Sequence, residues 1–248
     1  MHQASVGFQC PECARAGRQK VVRPRDLRAG GLLATNLLIA VNIAVFVAGM
    51  GGDLETKQSF IDDGGLVARA VNLSGTKLIG VAEGEWWRIV TSGFLHANLI
   101  HIGFNMFVLY QLGQLMEPVL GRLRFGLVYA FALVSGAFGV LLVDPNHFTV
   151  GASGAVFGMM GAAVAAMRSR GINPFHTSLG GTIMLNLLIT FAIPGISIGG
   201  HVGGLIGGFV AGWILTDFGP SQARQPWLPP ALVGVLGVAV VGGCLAVA

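Results

Sequence analysis

The sequence predicts an all-α polytopic membrane protein, and two observations carry that prediction. Only 10% of the 248 residues are charged and 53% are hydrophobic, whereas an ordinary soluble domain is about one quarter charged. Such a chain cannot cover a water-facing surface, so a soluble globular enzyme is excluded, and the high hydrophobicity excludes a disordered chain. The second observation is a series of apolar segments, most of them near the roughly 20 residues that a helix needs to cross a bilayer.

Seven apolar segments are candidate membrane spans. In chain order they are residues 32–50, 94–116, 123–143, 153–167, 181–193, 200–215 and 228–248. The fourth and fifth are the shortest. An odd number of spans predicts that the two ends of the chain lie on opposite sides of the membrane.

Basic residues concentrate on one side of the predicted membrane. With the N-terminus in the cytoplasm, eleven of the fifteen lysines and arginines lie on the cytoplasmic side, as the positive-inside rule favours. The sequence therefore predicts a cytoplasmic N-terminus and an outer C-terminus. A basic tail beside anionic lipid accounts for the net charge of +4, and no nucleic-acid partner is expected.

Two segments do not fit simple spans. Residues 51–88 form a long outer loop, which ends in Trp86, Trp87 and Arg88, a run typical of an anchor at the headgroup level. Residues 144–152 are polar, contain Pro145 and lead into the short fourth span. Irregular backbone at membrane depth is tolerated only inside protein or beside a wet cavity, so this segment indicates a functional site.

Polar residues recur at one depth in the second, fourth and sixth spans, which all run from outside to inside. The depths follow from counting back from the polar residue at each cytoplasmic end: His101 lies 16 residues before Glu117, Ser153 lies 15 before Arg168, and His201 lies 16 before Asp217. A rise of about 1.5 Å per residue puts all three about 7–10 Å below the outer face. Asn105 shares the face of His101 one turn below.

A structural role has to be weighed against a functional one. A single polar residue in a membrane helix often only hydrogen-bonds a neighbouring helix. Four such residues at one depth on three helices, beside a broken segment, favour a functional site, since ionisable groups inside a membrane are functional candidates.

Glycine spacing predicts that the fourth and sixth spans pack face to face. Small residues at about every fourth position allow two helix backbones to approach closely. They are Gly151, Gly154, Gly158 and Gly161 around and after Ser153, and Gly200, Gly204, Gly208 and Gly212 around and after His201. We expect this packing to hold Ser153 and His201 within hydrogen-bond reach.

A serine beside a histidine is the minimum for an activated nucleophile, because the imidazole can take the hydroxyl proton and return it to the leaving group. No acidic third member is evident, so a dyad is favoured over a triad. Candidate oxyanion donors are the backbone N–H of Ser153 at a helix start and the side chains of Asn105 and His101.

These residues resemble the rhomboid family of intramembrane serine proteases. The resemblance rests on Gly151-Ala152-Ser153-Gly154 in a short fourth span and on His201 in a glycine-rich sixth span. It also rests on His96-x4-His101-x3-Asn105 and on Glu85-Trp86-Trp87-Arg88 before it. It covers roughly residues 32–217 and implies a six-transmembrane-helix core, so that the seventh span is one extra C-terminal helix. The expected organisation is a cytosolic tail over residues 1–30, the core over 31–217, and a linker with the seventh helix over 218–248.

The resemblance also implies roles for individual residues. Ser153 would be the nucleophile and His201 the general base, with Asn105, His101 and the Ser153 amide as oxyanion-hole donors. The supporting residues would be His96, Phe157, Trp87, Arg88, Gly151 and Gly154, with the Phe157 ring stacked under the catalytic imidazole. No cofactor is expected. Cys10 and Cys13 form half of a zinc-ribbon pattern, and they are weak zinc candidates because a structural zinc needs four ligands.

The expected function is an intramembrane serine endopeptidase of a bacterial plasma membrane, which cuts single-pass transmembrane substrates near the outer face. The alternative is a non-catalytic membrane protein that binds transmembrane clients or transports a small polar solute, because a broken helix beside polar groups is also typical of transporters. A membrane acyltransferase that uses the same histidines is a third hypothesis.

Overall fold

The computed structural model describes residues 2–3, 8–9, 31–51, 54–72, 74–217 and 225–248. The chain divides into two compact units, Met1–Gly31 and Leu32–Ala248. The first contains strands β1 (His2–Gln3) and β2 (Phe8–Gln9), which pair antiparallel. Cys10 and Cys13, the predicted zinc candidates, lie outside the described residues. The expected three-part organisation of the chain stays a prediction.

The described part of the second unit is mainly helical. Its longer helices are α1 (Leu33–Met50), α2 (Leu54–Gly64), α4 (Leu99–Leu120), α5 (Arg122–Val143), α6 (Ser153–Arg168), α7 (Ser178–Ala192), α8 (Ile198–Asp217) and α9 (Leu228–Val247). Between α2 and α4 lie the antiparallel strands β3 (Ala70–Val71) and β4 (Leu78–Ile79) and the short helix α3 (Arg88–Thr91).

Five of these helices are long and apolar enough to cross a membrane, namely α1, α4, α5, α8 and α9, and α6 and α7 are shorter apolar helices. The prediction of an all-α polytopic membrane fold is confirmed. The division into six core helices and one extra helix stays a prediction.

Helix α6 lies at the centre of the second unit. Eleven of its 16 residues are buried, whereas α1 at the edge buries only Thr35 and Asn42. A helix that is apolar all round and rich in glycine and alanine suits such a central place, because its neighbours can approach it from every side. Ser153, the first residue of α6, is half-buried.

The second span differs from its predicted bounds of 94–116. Helix α4 begins at Leu99, because the side chain of Asn98 accepts a hydrogen bond from the His101 backbone N–H at 2.9 Å and caps the helix. Residues before it form a 3₁₀ turn, Ser92–Phe94. The helix ends at Leu120, where Gly121 has a φ of +77°. His101 is therefore in the first turn of α4.

The irregular segment 144–152 is held by backbone hydrogen bonds to the outer loop. Leu66 and Thr149 exchange a pair of bonds at 2.9 Å, and the Gly151 N–H donates to the Ser92 carbonyl at 2.9 Å. These partners satisfy backbone groups that would otherwise be exposed to hydrocarbon. These hydrogen bonds therefore fix the position of the segment that leads directly into Ser153, the first residue of α6.

Glu117 on α4 is buried and caps another helix, although the sequence indicated only a polar residue at a helix end. Its carboxylate accepts hydrogen bonds from the Ala34 N–H at 2.9 Å, the Thr35 N–H at 2.8 Å and the Thr35 hydroxyl at 2.6 Å. A negative charge at the N-terminus of α1 is stabilised by the helix dipole. Glu117 therefore fastens α1 to α4.

We expect Glu117→Gln to lower the free energy of unfolding by about 1.5–3 kcal/mol, the usual contribution of hydrogen bonds to a charged group. The amide offers one oxygen in place of two and turns N–H groups toward the donors of α1. Thermal unfolding in detergent measures the change. Gln114→Ala, an exposed site on the same helix, should change stability by less than about 0.5 kcal/mol, and an equal loss in both variants would refute the capping role.

Candidate active site

Ser153 and His201 lie close together at the N-terminal ends of α6 and α8. The His201 Nε2 lies 2.8 Å from the Ser153 Oγ, and the His201 residue is only 7% exposed. The close approach depends on glycine, because a Cβ on Gly204 of α8 would overlap the Gly154 carbonyl oxygen of α6. The two side chains are therefore held together by a backbone-to-backbone contact between their helices.

The His201 ring is held on its other sides by Phe157 and Thr190. The Phe157 ring stacks on it with centroids 4.1 Å apart and planes 14° apart. The Thr190 Oγ1 on α7 lies 2.7 Å from the His201 Nδ1. Phe157 was expected from the resemblance, whereas Thr190 was missed, and the sequence offered no charge or spacing that singled it out.

His101 and Asn105 of α4 line the same cavity as Ser153. A Cβ on Gly151, where φ is +128°, would lie 2.7 Å from two atoms of the His101 ring and 3.7 Å from the Ser153 Oγ. The positive φ and the close approach of the His101 ring therefore favour glycine at position 151. The buried Asn105 donates one amide hydrogen to the His101 carbonyl at 3.0 Å, and its side-chain NH₂ has a second hydrogen to give.

His96 connects the loop before α4 to the loop before α6. Its Nδ1 lies 3.3 Å from the Phe94 carbonyl, and its Nε2 lies 3.5 Å from the backbone N of Ala152. Donation from Nδ1 and acceptance at Nε2 satisfy both contacts in the neutral ring. The ring also meets His101 edge to face at 5.1 Å, so His96 contacts both the His101 ring and the residue before Ser153.

A cavity of about 490 Å³ opens in front of these side chains. Its lining includes Ser153, His201, His101, Asn105 and Phe157. Residues of α7 and of the segment that follows it, between Asn186 and Ser197, also line the cavity. This volume is within the range of small-molecule and cofactor sites, and it is large enough for a few residues of an extended peptide.

The predicted anchor Trp86-Trp87-Arg88 divides into two parts. Trp86 and Trp87 are 60% and 40% exposed, but Arg88 is 1% exposed, so the expectation of an interfacial arginine is wrong. The Arg88 guanidinium binds the Glu85 carboxylate at 2.7 Å and the carbonyls of Asp62 and Gly65. Arg88 therefore connects separate parts of the outer loop through buried contacts.

Glu85 is the acidic partner of Arg88 in these contacts. Burial by itself would raise the pKa of Glu85, but hydrogen bonds from Lys77, from the Gly80 N–H and from Arg88 outweigh burial and hold the pKa below its ordinary value. Glu85 is therefore ionised at neutral pH, and it pairs with one buried and one exposed cation.

Within the described residues, no group of three or more His, Cys, Asp or Glu side chains is arranged to hold a metal ion. Ser153 and His201 place a hydroxyl within hydrogen-bond distance of an imidazole, an arrangement that can serve nucleophilic chemistry.

A family model described as the Rhomboid domain matches residues 83–218, more than half of the chain. The chain belongs to the rhomboid family. The match includes Ser153, His201, His101 and Asn105, and it ends just after α8. The predicted resemblance is thereby confirmed, and this rhomboid is an integral multi-pass membrane protein.

Three curated relatives of this rhomboid illustrate the similarity. YdcA of Bacillus subtilis (strain 168) is 35% identical over 127 residues, which are 50% of this chain and 64% of YdcA. Rhomboid protease GluP of the same strain is 37% identical over 124 residues, 49% of this chain and 24% of GluP. Rhomboid-like protease 1 of Toxoplasma gondii is 31% identical over 165 residues, 63% of this chain and 56% of the relative. The chain thus spans less than two thirds of the length of each.

Proposed function

We propose that this rhomboid is an intramembrane serine endopeptidase that works by a dyad of Ser153 and His201. The observation that carries the proposal is the 2.8 Å separation of the Ser153 Oγ and the His201 Nε2 at the wall of a cavity of about 490 Å³. The names of the relatives GluP and Rhomboid-like protease 1 support the same activity.

The reaction begins when His201 Nε2 removes the hydroxyl proton and the Ser153 Oγ attacks the carbonyl carbon of a peptide bond. The tetrahedral oxygen gains negative charge, and the donors for it are the Ser153 N–H at the start of α6 and the side chains of His101 and Asn105. His201 then gives its proton to the departing amine. A water molecule, activated by His201 in turn, hydrolyses the acyl-enzyme and restores Ser153.

The proposed substrates are single-pass transmembrane proteins that enter from the lipid bilayer. Residues of both α4 and α7 line the cavity, and we expect a substrate segment to enter between these two helices. A hydrogen-bonded helix hides its carbonyls, and the substrate therefore has to unwind. We expect cleavage beside glycine or other helix-weakening residues.

The proposed location of the reaction is near the outer face of a bacterial plasma membrane, with the N-terminus in the cytoplasm and the C-terminus outside. The distribution of lysine and arginine supports this orientation. The exposed Trp86 and Trp87 in the outer loop suit the headgroup level.

The test uses the full chain in detergent or liposomes with a model transmembrane substrate and a fluorophosphonate probe, which reacts with an activated serine. We expect the wild type to cleave and to be labelled, and Ser153→Ala and His201→Ala to fall to background, as when either partner is removed from a soluble serine protease.

Ser135→Ala is the matched control, because Ser135 is also a buried serine in a membrane helix but lies outside the proposed dyad. This variant should cleave and be labelled like the wild type. Undiminished cleavage by Ser153→Ala or His201→Ala would overturn the proposal, and solute uptake without labelling would favour a transporter.

A further inference from the structure

Thr190 contacts the proposed general base from a third helix. It lies on α7, is 2% exposed, and has two polar neighbours. Its Oγ1 is 2.7 Å from the Asn186 carbonyl oxygen, four residues earlier on the same helix, and 2.7 Å from the His201 Nδ1. Both separations are typical of good hydrogen bonds.

The Thr190 hydroxyl has two possible acceptors, the Asn186 carbonyl and the His201 Nδ1, and its choice between them is linked to which ring nitrogen of His201 carries hydrogen. A threonine hydroxyl has one proton to donate, and the Asn186 carbonyl can only accept. If Thr190 donates to Asn186, the short contact to His201 is a hydrogen bond only when Nδ1 bears the hydrogen and donates it. The Nε2 of a neutral His201 is then unprotonated and faces the Ser153 hydroxyl, as a general base requires.

Three contacts together orient the imidazole. Phe157 sets the plane of the ring by stacking, Ser153 lies at Nε2, and Thr190 lies at Nδ1. Soluble serine proteases use a buried carboxylate at the Nδ1 position to hold the tautomer and to stabilise the imidazolium. Placing a charged carboxylate inside a membrane costs free energy. A hydroxyl that is hydrogen-bonded to its own helix carries no charge and avoids this cost.

We propose that Thr190 is a positioning residue that holds His201 in the tautomer with hydrogen on Nδ1 and its Nε2 toward Ser153. This inference rests on the proposed protease function. The bond from Nδ1 strengthens as the ring becomes positively charged, so Thr190 stabilises the transition state more than the bound substrate.

The test compares Thr190→Val, which has a similar shape without the hydroxyl, with Thr190→Ser, which keeps the hydroxyl. We expect Thr190→Val to lower kcat about tenfold, near the upper range for one hydrogen bond, with KM unchanged, and Thr190→Ser to recover most of the rate. Thr182→Val is the control, because Thr182 makes the same kind of bond to the Ser178 carbonyl on α7; it should behave like the wild type.

A second measurement does not depend on cleavage. In ¹⁵N-histidine spectra of the full chain in micelles, with His201 identified by a His201→Ala variant, we expect Nδ1 to carry the hydrogen in the wild type and this preference to weaken in Thr190→Val. Equal kcat values in the wild type and Thr190→Val, or an Nε2-protonated His201 in the wild type, would refute the role of Thr190. Loss of the proposed function itself would instead appear as an inactive, unlabelled wild type.

Discussion

Replacement of Gly208 by alanine is expected to destabilise this rhomboid by about 3 kcal/mol or more, at the upper end of the range for overpacked cores. A Cβ at this position would overlap the Gly158 carbonyl oxygen. The obstacle is backbone, which cannot rotate away as a side chain can, so α6 and α8 have to separate along their length. Thermal unfolding in detergent measures the loss.

Gly208→Ala should also reduce fluorophosphonate labelling of Ser153, although Gly208 lies about two turns below the dyad, because the same two helices carry Ser153 and His201. Gly126→Ala is the control: Gly126 also lies in a membrane helix, α5, and a Cβ there would meet nothing within 4 Å. Equal melting temperatures for the two variants would show that close backbone contact between α6 and α8 is dispensable.

The sequence predicts the close approach of these helices because two of its regularities are geometric. Glycine at every fourth position specifies which faces of α6 and α8 can touch. Counting residues from a polar helix end specifies depth, because the rise of a helix is constant. Together they predict that Ser153 and His201 meet, and the structure has them 2.8 Å apart.

Thr190 could not be found in this way. Helix α7 has no charged residue near its end from which to count depth, and a threonine bonded four residues back is a common feature of apolar helices. Its contact with His201 depends on how α7 packs against α8, and the local sequence does not specify that packing. The capping role of Glu117 was also not predicted, because its partner, the start of α1, is 82–83 residues away in the sequence.

The contacts of Arg88 in the outer loop were likewise not predictable from the local sequence. Two tryptophans followed by an arginine are typical of a membrane interface, yet the arginine faces inward. Its partners come from two places in the loop, Asp62 and Gly65 at the end of α2 and Glu85 just before Arg88, and the sequence alone does not bring the first place close to the second. The guanidinium has five N–H donors in a fixed fork, which lets one side chain bind the three groups.

We expect Arg88→Met to destabilise the outer loop by about 3–5 kcal/mol, the usual result of removing one partner from a buried ion pair. Glu85 would keep its contacts with Lys77 and Gly80 but lose its buried cation. Hydrogen exchange of residues 65–95 measures local opening. Arg88→Lys should be intermediate, because it keeps the charge and loses the fork.

Arg69→Met is the matched control, since Arg69 also pairs with a glutamate of this loop, Glu83 at 2.8 Å, but its side chain is 60% exposed. Its loss should cost less than about 1 kcal/mol.

The pH dependence of loop opening gives an independent check. The pKa of Glu85 is lowered in the folded protein, so its contribution to stability is complete above the ordinary glutamate value of about 4.3 and is lost as the pH falls through the lowered value. Loop opening in the wild type should therefore increase in acid more steeply than in Arg88→Met, and parallel curves would show that the Glu85–Arg88 pair does not hold the loop.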